Sequence, residues 1–333
     1  KDFSNIGTNT RTRKRKETIM SRRSIDQILE GKPYKKLLLP EKLQQTEIDL
    51  VDTDPRKTQY YVRIVLDNCG RINPEEIEEY IGTGGYQALG IALKEKKPED
   101  IIKIVKDSGL KGRGGAGFPT GLKWSFTAQE KESPKYVICN GDEGDPGTFK
   151  DRLIMEGDPH KILEGMAICA YAIGANIGYI YIRGEYQLSI QRLEKAIKEA
   201  EKLGLLGKNI FDTDFDFEVK IKIGAGSYVC GEETALLNSM EGFRGEPRLK
   251  PPFPAKSGFL SKPTNVNNVE TLANIAPIIL NGAEWFKKFG TENSPGTKVY
   301  TILGHINRPG LIEVPMGVTL MKIIYDYAGG MSY

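Results

Sequence analysis

Glycine clusters are the feature of this sequence that most constrains its fold. Of its 333 residues, 37 are glycine, and many concentrate in the stretches 109–117, 141–147 and 224–231. Because glycine has no Cβ, a cluster lets the backbone approach a ligand closely, or it simply forms turns. Two of the clusters directly follow predicted β-strands, the place where proteins of alternating strands and helices bind ligands. The clusters are therefore the first candidates for a binding site.

Apolar residues recur in a pattern that predicts strands alternating with helices. Strands are predicted at Tyr60–Leu66, Tyr136–Cys139, Tyr179–Ile182 and Phe217–Ile223. Helices are predicted to begin at Pro74, Pro98 and Asp158 and to cover Ile190–Leu203. This alternation is typical of an α/β layer structure, which is the fold class that we expect.

A different pattern begins near the carboxyl end. Val299–Leu303 and Leu311–Val314 are predicted strands joined by a turn at Arg308–Gly310, and a helix is predicted from Thr319 to about Tyr327. A hairpin followed by a helix predicts a separate small domain. Because the sequence stops at Tyr333, we expect this domain to lack a further strand.

Composition and charge exclude several classes of protein. The hydrophobic fraction is 39% and the charged fraction 27%, as in an ordinary soluble globular protein. No apolar run reaches the roughly 18 residues that a membrane-spanning helix requires, so we expect no direct membrane insertion. Single, scattered cysteines indicate a reducing compartment, and we expect a cytoplasmic protein. The first residue is Lys1 rather than the Met of a signal peptide, which suggests that the true start is missing.

Residues 1–59 are interpreted as a basic arm or linker. The side chains that make this segment basic are Arg11, Arg13, Lys14, Arg15, Lys16, Arg22 and Arg23. A solvated extension lying on a partner is favoured over a segment that binds nucleic acid, because the rest of the chain is close to neutral. We expect no nucleic-acid partner.

The first glycine cluster contains Gly112-Arg113-Gly114-Gly115-Ala116-Gly117, which matches the pattern G-x-G-x-x-G. A conventional dinucleotide fingerprint requires a strand before its glycines, whereas here a helix and a loop precede them. That interpretation is therefore disfavoured. The loop, with Arg113 and Lys123, could still bring backbone N–H groups and positive charge against a phosphate or an aromatic ring, and the alternative is a flexible surface loop.

The second cluster, 140–145, places the carboxylates of Asp142, Glu143 and Asp145 immediately after a predicted strand. Two uses fit them: hydrogen bonds to ribose hydroxyls, or a divalent metal. The lack of nearby histidine favours the ribose, and a plain acidic turn stays an alternative. No metal site is expected.

The third cluster, 224–234, opens a predicted helix with Glu232 and Glu233 in its first turn. Glutamate at that position is favourable for the helix dipole alone, but Tyr228 nearby favours a binding role. Two further loops offer a cation with an aromatic ring (248–254) and side-chain amides ahead of another helix (264–271). Together these five loops predict a single site.

Five stretches resemble the NADH-binding flavoprotein subunit of respiratory complex I, a subunit that recurs in NAD-dependent hydrogenases and formate dehydrogenases. They are residues 109–124, 140–147, 230–237, 250–255 and 267–271, which occur in the family's order and at similar spacing. The resemblance covers residues 60 to 333. Residues 68–74, 86–89 and 290–298 look closer to the hydrogenase branch, whose members are often electron-bifurcating.

The resemblance implies a set of binding residues. Those expected against FMN are Gly112, Arg113, Gly114, Gly115, Lys123, Asn140, Asp142, Tyr228, Gly231, Glu232, Asn267 and Asn268. Those expected around NADH are Phe118, Phe126, Asp145, Glu233, Lys250 and Phe253. Asp145 departs from the glutamate of many respiratory members. No catalytic side chain is implied, because the flavin carries the hydride chemistry.

The resemblance also implies domains and partners. We expect a Rossmann-like α/β domain binding FMN and NADH over 60–290 and a partial β-grasp-like domain over 296–333. The family's C-terminal helical 4Fe-4S domain and the N-terminal thioredoxin-like 2Fe-2S domain of hydrogenase-type members are expected to be absent from this chain.

The implied function is exchange of a hydride between NADH and the N5 atom of FMN, with single electrons passed to iron–sulfur clusters. The expected partners are iron–sulfur electron-transfer subunits, including a 2Fe-2S thioredoxin-like subunit, a hydrogenase or formate dehydrogenase catalytic subunit, and ferredoxin. Besides an NAD-dependent, electron-bifurcating hydrogenase, the alternatives are a formate dehydrogenase, respiratory complex I, and a non-catalytic scaffold subunit that has lost its flavin.

Overall fold

The computed structural model describes residues 63–332. Its helices are α1 (Ile77–Gly82), α2 (Gln87–Glu95), α3 (Pro98–Asp107), α4 (Thr120–Gln129), α5 (Lys150–Gly157), α6 (Pro159–Ile173), α7 (Gln187–Lys202), α8 (Glu233–Met240), α9 (Val269–Ala273), α10 (Ile275–Asn281), α11 (Ala283–Lys287) and α12 (Leu320–Lys322), the last continued by a π-helical turn, Ile323–Tyr327. Its strands are β1 (Tyr136–Gly141), β2 (Ile177–Arg183), β3 (Glu218–Gly224), β4 (Thr264–Asn268), β5 (Gly290–Thr291), β6 (Ser294–Pro295), β7 (Thr297–Ile302) and β8 (Gly310–Pro315). No helix in this part of the chain is long and apolar enough to cross a membrane.

Four parallel strands form the central sheet in the order β3-β2-β1-β4. Helix α6 covers one face, where Val137 and Cys139 belong to the main core. Helix α8 covers the other face, where Tyr136 and Ile138 pack in a second core cluster. A parallel sheet buried on both faces confirms the predicted α/β class.

Strand order reverses at β1. The chain moves from β1 to β2 to β3 in one direction and then returns to place β4 on the opposite side of β1. Loops that leave neighbouring strands on opposite sides of the sheet open a crevice at the carboxyl edge, which is where such folds bind ligands. The crevice therefore lies between the ends of β1 and β4.

Strand β4 was predicted as a loop, and that prediction is wrong. Asn265, Asn267 and Asn268 occupy three of its five positions, and asparagine is disfavoured in strands. The strand forms at the sheet edge because its amides find partners: Nδ2 of Asn265 donates to Thr127 Oγ1 at 2.8 Å, and Nδ2 of Asn267 donates to Asn265 Oδ1 at 2.8 Å.

Two predictions near the amino end are also wrong. Residues 60–62 lie outside the described residues, and 64–66 form bends rather than a strand. Their backbone pairs with a side chain instead: the N–H groups of Ile64, Val65 and Leu66 donate to the carboxylate of Glu313 at 2.9–3.1 Å. The helix predicted to begin at Pro74 begins at Ile77, because 74–75 form a turn.

Helix α6 confirms its prediction. The carboxylate of Asp158 accepts a hydrogen bond from the Lys161 N–H at 3.3 Å and caps the helix. Nearly every residue of the helix is buried. It approaches α9 so closely that a Cβ on Gly165 would lie 2.2 Å from the carbonyl oxygen of Leu272. The packing of α6 therefore depends on glycine at this position.

The predicted hairpin near the carboxyl end is confirmed as the antiparallel pair β7–β8. Hydrogen bonds and ion pairs of one buried carboxylate connect this hairpin to the central domain. The buried carboxylate of Glu270, in α9, accepts hydrogen bonds from the Val299 N–H at 2.8 Å and from the Lys298 ammonium at 2.5 Å. It also forms an ion pair with Lys150 at 3.1 Å. These bonds fix the hairpin against the end of β4.

We expect Gly165→Ala to destabilise the fold. The added methyl group would overlap a backbone atom that cannot move without shifting α9, and overpacking of this kind costs about 1–3 kcal/mol or more. Gly82→Ala is the matched control, because Gly82 is an exposed helical glycine with nothing within 4 Å of an added Cβ. Urea unfolding should show a lower midpoint for G165A and an unchanged or higher midpoint for G82A. Equal midpoints would contradict the close helix packing.

Candidate functional site

The crevice is built where β1 and β4 end. Asn140 and Asn268 are opposite one another in the parallel register, and Tyr181 flanks Asn140 on its other side. The first glycine loop lies on β4, because a Cβ on Gly114 would be 3.0 Å from the Cβ of Asn268. The Asn140 amide donates to the Gly231 carbonyl at 2.9 Å and so connects the third glycine cluster. Three of the predicted loops therefore meet here.

The first glycine loop is a closed, hydrogen-bonded turn. The Gly112 N–H donates to the Phe118 carbonyl at 2.8 Å, and the Thr120 N–H donates to the Leu110 carbonyl at 2.9 Å. Gly115 has φ of +118°, which side chains rarely adopt, and nothing lies within 4 Å of an added Cβ. The loop thus leaves open space beside an exposed backbone, which suits close approach of a ligand.

Arg113 takes a different part in the site from the one expected of a phosphate-binding cation. Its side chain is buried and donates to the carbonyls of Thr297 at 3.0 Å, Pro295 at 2.9 Å and Lys111 at 2.9 Å. Its backbone N–H donates to Thr271 Oγ1 at 2.8 Å. Arg113 therefore ties the glycine loop to α9 and to the C-terminal hairpin.

The three carboxylates of the acidic loop have separate surroundings. Glu143 is buried and caps α5, accepting hydrogen bonds from the N–H groups of Lys150, Asp151 and Arg152 at 2.9–3.2 Å. Asp145 is exposed and accepts a hydrogen bond from the Tyr228 hydroxyl at 2.7 Å. The loop is thus more than an acidic turn, because one carboxylate holds its shape and the others stay at the crevice.

Asp142 is partly buried at the end of β1. Burial raises its pKa to about 6, although the charge of Arg183 acts to lower it. Within residues 63–332 its Oδ2 atom is buried and has no hydrogen-bond partner. A buried acceptor left without a donor is costly, so this atom is suited to a donor supplied by a ligand.

Two lysines and two glutamates form a chain of ion pairs at the start of α8. Lys123 lies 2.7 Å from Glu233, and Lys250 lies 3.2 Å from Glu233 and 2.9 Å from Glu232. Glu232 is the N-cap of the helix and accepts hydrogen bonds from the N–H groups of Thr234 and Ala235. Burial raises the pKa of Glu233, but the charge and hydrogen bonds of the lysines outweigh it and lower that pKa below its ordinary value.

Exposed aromatic rings accompany this chain of charges. Phe118 and Phe126 are each 45% exposed, with ring centroids 6.5 Å apart, and Phe253 is 59% exposed. Tyr228 is 67% exposed and packs on Gly144, whose added Cβ would be 3.0 Å from its ring. Large exposed rings cost free energy in water, so these four are candidates to stack on a planar ligand.

Asn267 and Asn268 differ in whether their side chains could contact a ligand in the crevice. Asn267 is buried, accepts a 3.3 Å hydrogen bond from the Trp124 indole, and serves the core. Asn268 caps α9 and donates to Asp151 at 2.7 Å, beside Lys150. Glu270, Thr271 and Arg183 also help to form the site, although none of them was named as a candidate binding residue. Glu270 and Thr271 lie in a stretch that carries the family resemblance, and Arg183 directly follows a predicted strand.

Two further facts concern metals and thiols. Within residues 63–332 no three His, Cys, Asp or Glu side chains are grouped so that they could hold a metal ion. Cys69, Cys139, Cys169 and Cys230 are free thiols. Burial raises the pKa values of the Cys69, Cys139 and Cys169 thiols, which keeps them protonated.

Residues 105–277 match the family model described as the Nuo51 FMN-binding domain. The chain belongs to this family. Residues 299–332 match a second model, the SLBB domain. The FMN-binding match spans α6, the parallel sheet and all five predicted binding loops, and it therefore includes the crevice.

Relatives with 50–60% identity occur in two kinds of protein. The chain is 57% identical over 269 residues to the NADP-reducing hydrogenase subunit HndC of Solidesulfovibrio fructosivorans, covering 81% of this chain and 54% of that one. It is 54% identical over 267 residues to a subunit of the NADH-quinone oxidoreductase of Rhizobium meliloti, covering 80% and 63%. The chain thus spans between half and two thirds of the length of these relatives.

Among solved structures, the chain is similar to an NAD⁺-reducing [NiFe]-hydrogenase in the H₂-reduced state. The TM-score is 0.68 at 39% sequence identity, with 80% of this chain and 43% of that chain covered. The similarity supports the same fold for the described residues.

We expect Lys123→Met to destabilise the protein in a pH-dependent way. The pKa of Glu233 is lowered in the folded protein, so its ion pairs add stability above the unfolded value of about 4.5 and lose it as pH falls through the lowered pKa. K123M should therefore cost about 1–2 kcal/mol at pH 7 and less at pH 4. Chemical unfolding at both pH values measures the difference.

Lys262→Met is the matched control, because Lys262 pairs with Glu132 at 3.3 Å on the surface, with 38% and 63% of the two side chains exposed. Such a pair contributes about 0–1 kcal/mol. If K262M lost as much stability as K123M, with the same dependence on pH, burial of the Lys123–Glu233 pair would not explain its contribution to stability.

Proposed function

We propose that this chain is a hydride-exchanging flavin module that binds FMN and NADH in the crevice between β1 and β4. The observation that carries the proposal is the convergence of the glycine loop, the acidic loop and the start of α8 on this crevice. When bound, FMN supplies the hydride and single-electron chemistry. An unpartnered buried acceptor on Asp142 and the open space at Gly115 fit a planar, hydrogen-bonding ring system.

The chain's own residues would bind and orient rather than react. Gly112, Gly114, Gly115 and Asn268 would form the floor against the flavin, and Asn140 and Gly231 would close its other side. Arg113 and Asn267 would act through the positions they hold in the loop and the core. Lys123 and Glu232 would fix the start of α8.

The nucleotide would lie over the exposed side of the crevice. Phe118, Phe126 and Phe253 offer faces for the adenine or nicotinamide, and Tyr228 borders the same opening. Asp145, Glu233 and Lys250 provide polar contacts for ribose and phosphate. Tyr228 uses only the Oδ1 atom of Asp145, so Oδ2 would be available to accept a hydrogen bond from a ribose hydroxyl.

The wider assignment is an NAD-dependent, electron-bifurcating hydrogenase complex. The NADP-reducing hydrogenase relative and the NAD⁺-reducing [NiFe]-hydrogenase structure support the hydrogenase part of this assignment, and the quinone oxidoreductase relative supports the alternative of respiratory complex I. The partners would be iron–sulfur electron-transfer subunits. Four free cysteines fit the reducing cytoplasm, where we place the protein.

The domain division also belongs to the proposal. A unit over 60–290 holds the FMN and NADH sites, and a unit over 296–333 follows it. The matches over 105–277 and 299–332 support this division. A non-catalytic scaffold that has lost its flavin is the alternative of another class, and it is disfavoured because the crevice keeps open space and an unpaired acceptor.

We expect the purified protein to bind FMN and not FAD. The glycine loop follows α3 and a turn rather than a strand, so it offers no conventional strand–glycine–helix site for a pyrophosphate. Chromatography of the acid-released cofactor identifies the flavin, and addition of NADH should bleach its visible absorbance. FAD in the extract would contradict the first expectation. A protein that binds no flavin after reconstitution would favour the scaffold.

We expect NADH to reduce the flavin faster than NADPH, because Asp145 and Glu233 would repel a 2′-phosphate. Glu233→Gln should narrow the preference for NADH, since it removes a negative charge and the ion-pair partner of Lys123, whereas Lys250 keeps its ion pair with Glu232. NADH binding should weaken by about 1.5–3 kcal/mol if a charge-assisted hydrogen bond is lost. Stopped-flow flavin reduction with both nucleotides measures the ratio.

Glu246→Gln is the control, because Glu246 is an exposed carboxylate on the neighbouring segment, outside the lysine–glutamate chain. It should leave the NADH-to-NADPH ratio unchanged. Equal rates of flavin reduction by NADH and NADPH in the unmutated protein would refute the proposed preference for NADH. The test is informative because one relative is named as an NADP-reducing hydrogenase subunit.

A further inference from the structure

Arg183 is the last residue of β2 and lies beside the acidic loop. Gly141 and Ile182 are opposite one another in the parallel register, so Asp142, which follows Gly141, leaves the sheet beside Arg183, which is still paired with Gly224 of β3. Both lie at the carboxyl edge, the edge that opens into the crevice. The position of Arg183 therefore places a guanidinium next to a predicted flavin-binding carboxylate.

The contacts of Arg183 fix the main chain of this loop. Its Nη1 atom donates to the carbonyl of Glu143 at 2.6 Å, and its Nη2 atom pairs with Glu185 at 3.0 Å. The guanidinium also lies over the ring of Tyr186, 5.9 Å from its centroid. Glu143 separates Asp142 from Asp145 along the chain, so holding its carbonyl sets the direction of both crevice carboxylates.

Charge connects the same two residues. Arg183 favours the ionised form of Asp142, while burial and the neighbouring Glu185 favour the neutral form. Tyr181 also faces this group from β2, and burial raises its pKa to about 12, so it stays neutral. In the part of the chain that the structure describes, Nε of Arg183 and Oδ2 of Asp142 are both buried without hydrogen-bond partners. Neither of these two atoms has a partner within the described residues.

We propose that Arg183 is a positioning residue of the flavin site: it holds the acidic loop through the Glu143 carbonyl and presents a positive charge to Asp142. The inference rests on the proposed binding of FMN in the crevice. It assigns two separable contributions to one side chain. The two Nη atoms of the guanidinium bond the Glu143 carbonyl oxygen and a Glu185 carboxylate oxygen at the same time. Its positive charge favours the ionised form of Asp142.

Two substitutions separate the contributions. Arg183→Lys keeps the charge but replaces the planar fork with a single ammonium, which cannot span Glu143 and Glu185 in the same geometry. Arg183→Gln keeps a short donor but removes the charge. The full chain is prepared as apoprotein, and the dissociation constant of FMN is measured by fluorescence quenching from pH 5 to pH 9. Asp142→Asn and the double variant D142N/R183Q are measured alongside.

FMN affinity should change with pH as Asp142 titrates, and we call this change the Asp142 step. A phosphate group also titrates near pH 6, so the step is obtained by comparing each protein that has Asp142 with its D142N counterpart. In R183Q this step should move up by about one pH unit, since an opposite charge has been removed. In R183K the step should stay in place while FMN binds about tenfold more weakly. In D142N and the double variant the step should be missing.

Arg192→Gln is the matched control. Arg192 also donates to a main-chain carbonyl, that of Glu156 at 2.7 Å, but it lies on α7 away from Asp142. It should change neither the step nor FMN affinity. Circular dichroism checks that each variant folds. If R183Q does not fold, the FMN affinity and the Asp142 step of R183K test the proposal.

The inference is overturned if R183Q leaves the step at its original pH, if D142N does not remove it, or if R183K binds FMN as tightly as the unmutated protein. Failure of the unmutated protein to bind FMN would be a different result. It would refute the proposed function itself.

Discussion

Strand β1 pairs with β2 on one side and with β4 on the other, and the chain must reverse direction across the sheet to do so. Because all four strands are parallel, the loops after β1 and β4 leave from the same edge and diverge. That divergence is the space in which the glycine loop, the acidic loop and the start of α8 meet. If β4 did not pair with β1, Asn268 would have no fixed position and Gly114 would have no surface to lie on.

Buried charges hold these loops in place, and each is compensated in a particular way. The guanidinium of Arg113 donates hydrogen bonds to main-chain carbonyls, and the carboxylate of Glu270 pairs with two lysines. The carboxylate of Glu313 accepts hydrogen bonds from main-chain N–H groups. A buried charge without partners is very costly, so each of these contacts resists separation. All three involve the segment from Thr297 to Glu313. The C-terminal hairpin is therefore part of the support of the crevice.

Several elements could be predicted from local pattern alone. The buried run of β1, the Asp158–Pro159 start of α6 and the amphipathic α7 are properties of short stretches, and the structure confirms them. Strand β4 could not be predicted in this way. Its asparagines are poor strand formers, and they are stable there only because Thr127, Trp124 and one another supply hydrogen bonds from distant positions.

The sequence by itself determined the α/β class, the positions of the glycine-rich and acidic loops and the family to which they point, because strand and helix periodicity and glycine spacing are local. Only the tertiary structure decided which polar side chains face the crevice. Arg113 and Glu143, both in predicted binding loops, are turned to structural contacts, while Arg183 lies beside Asp142 without any motif to mark it. Hydrogen-bond partners of a buried group are set by residues far away in the chain, and no local pattern records that choice.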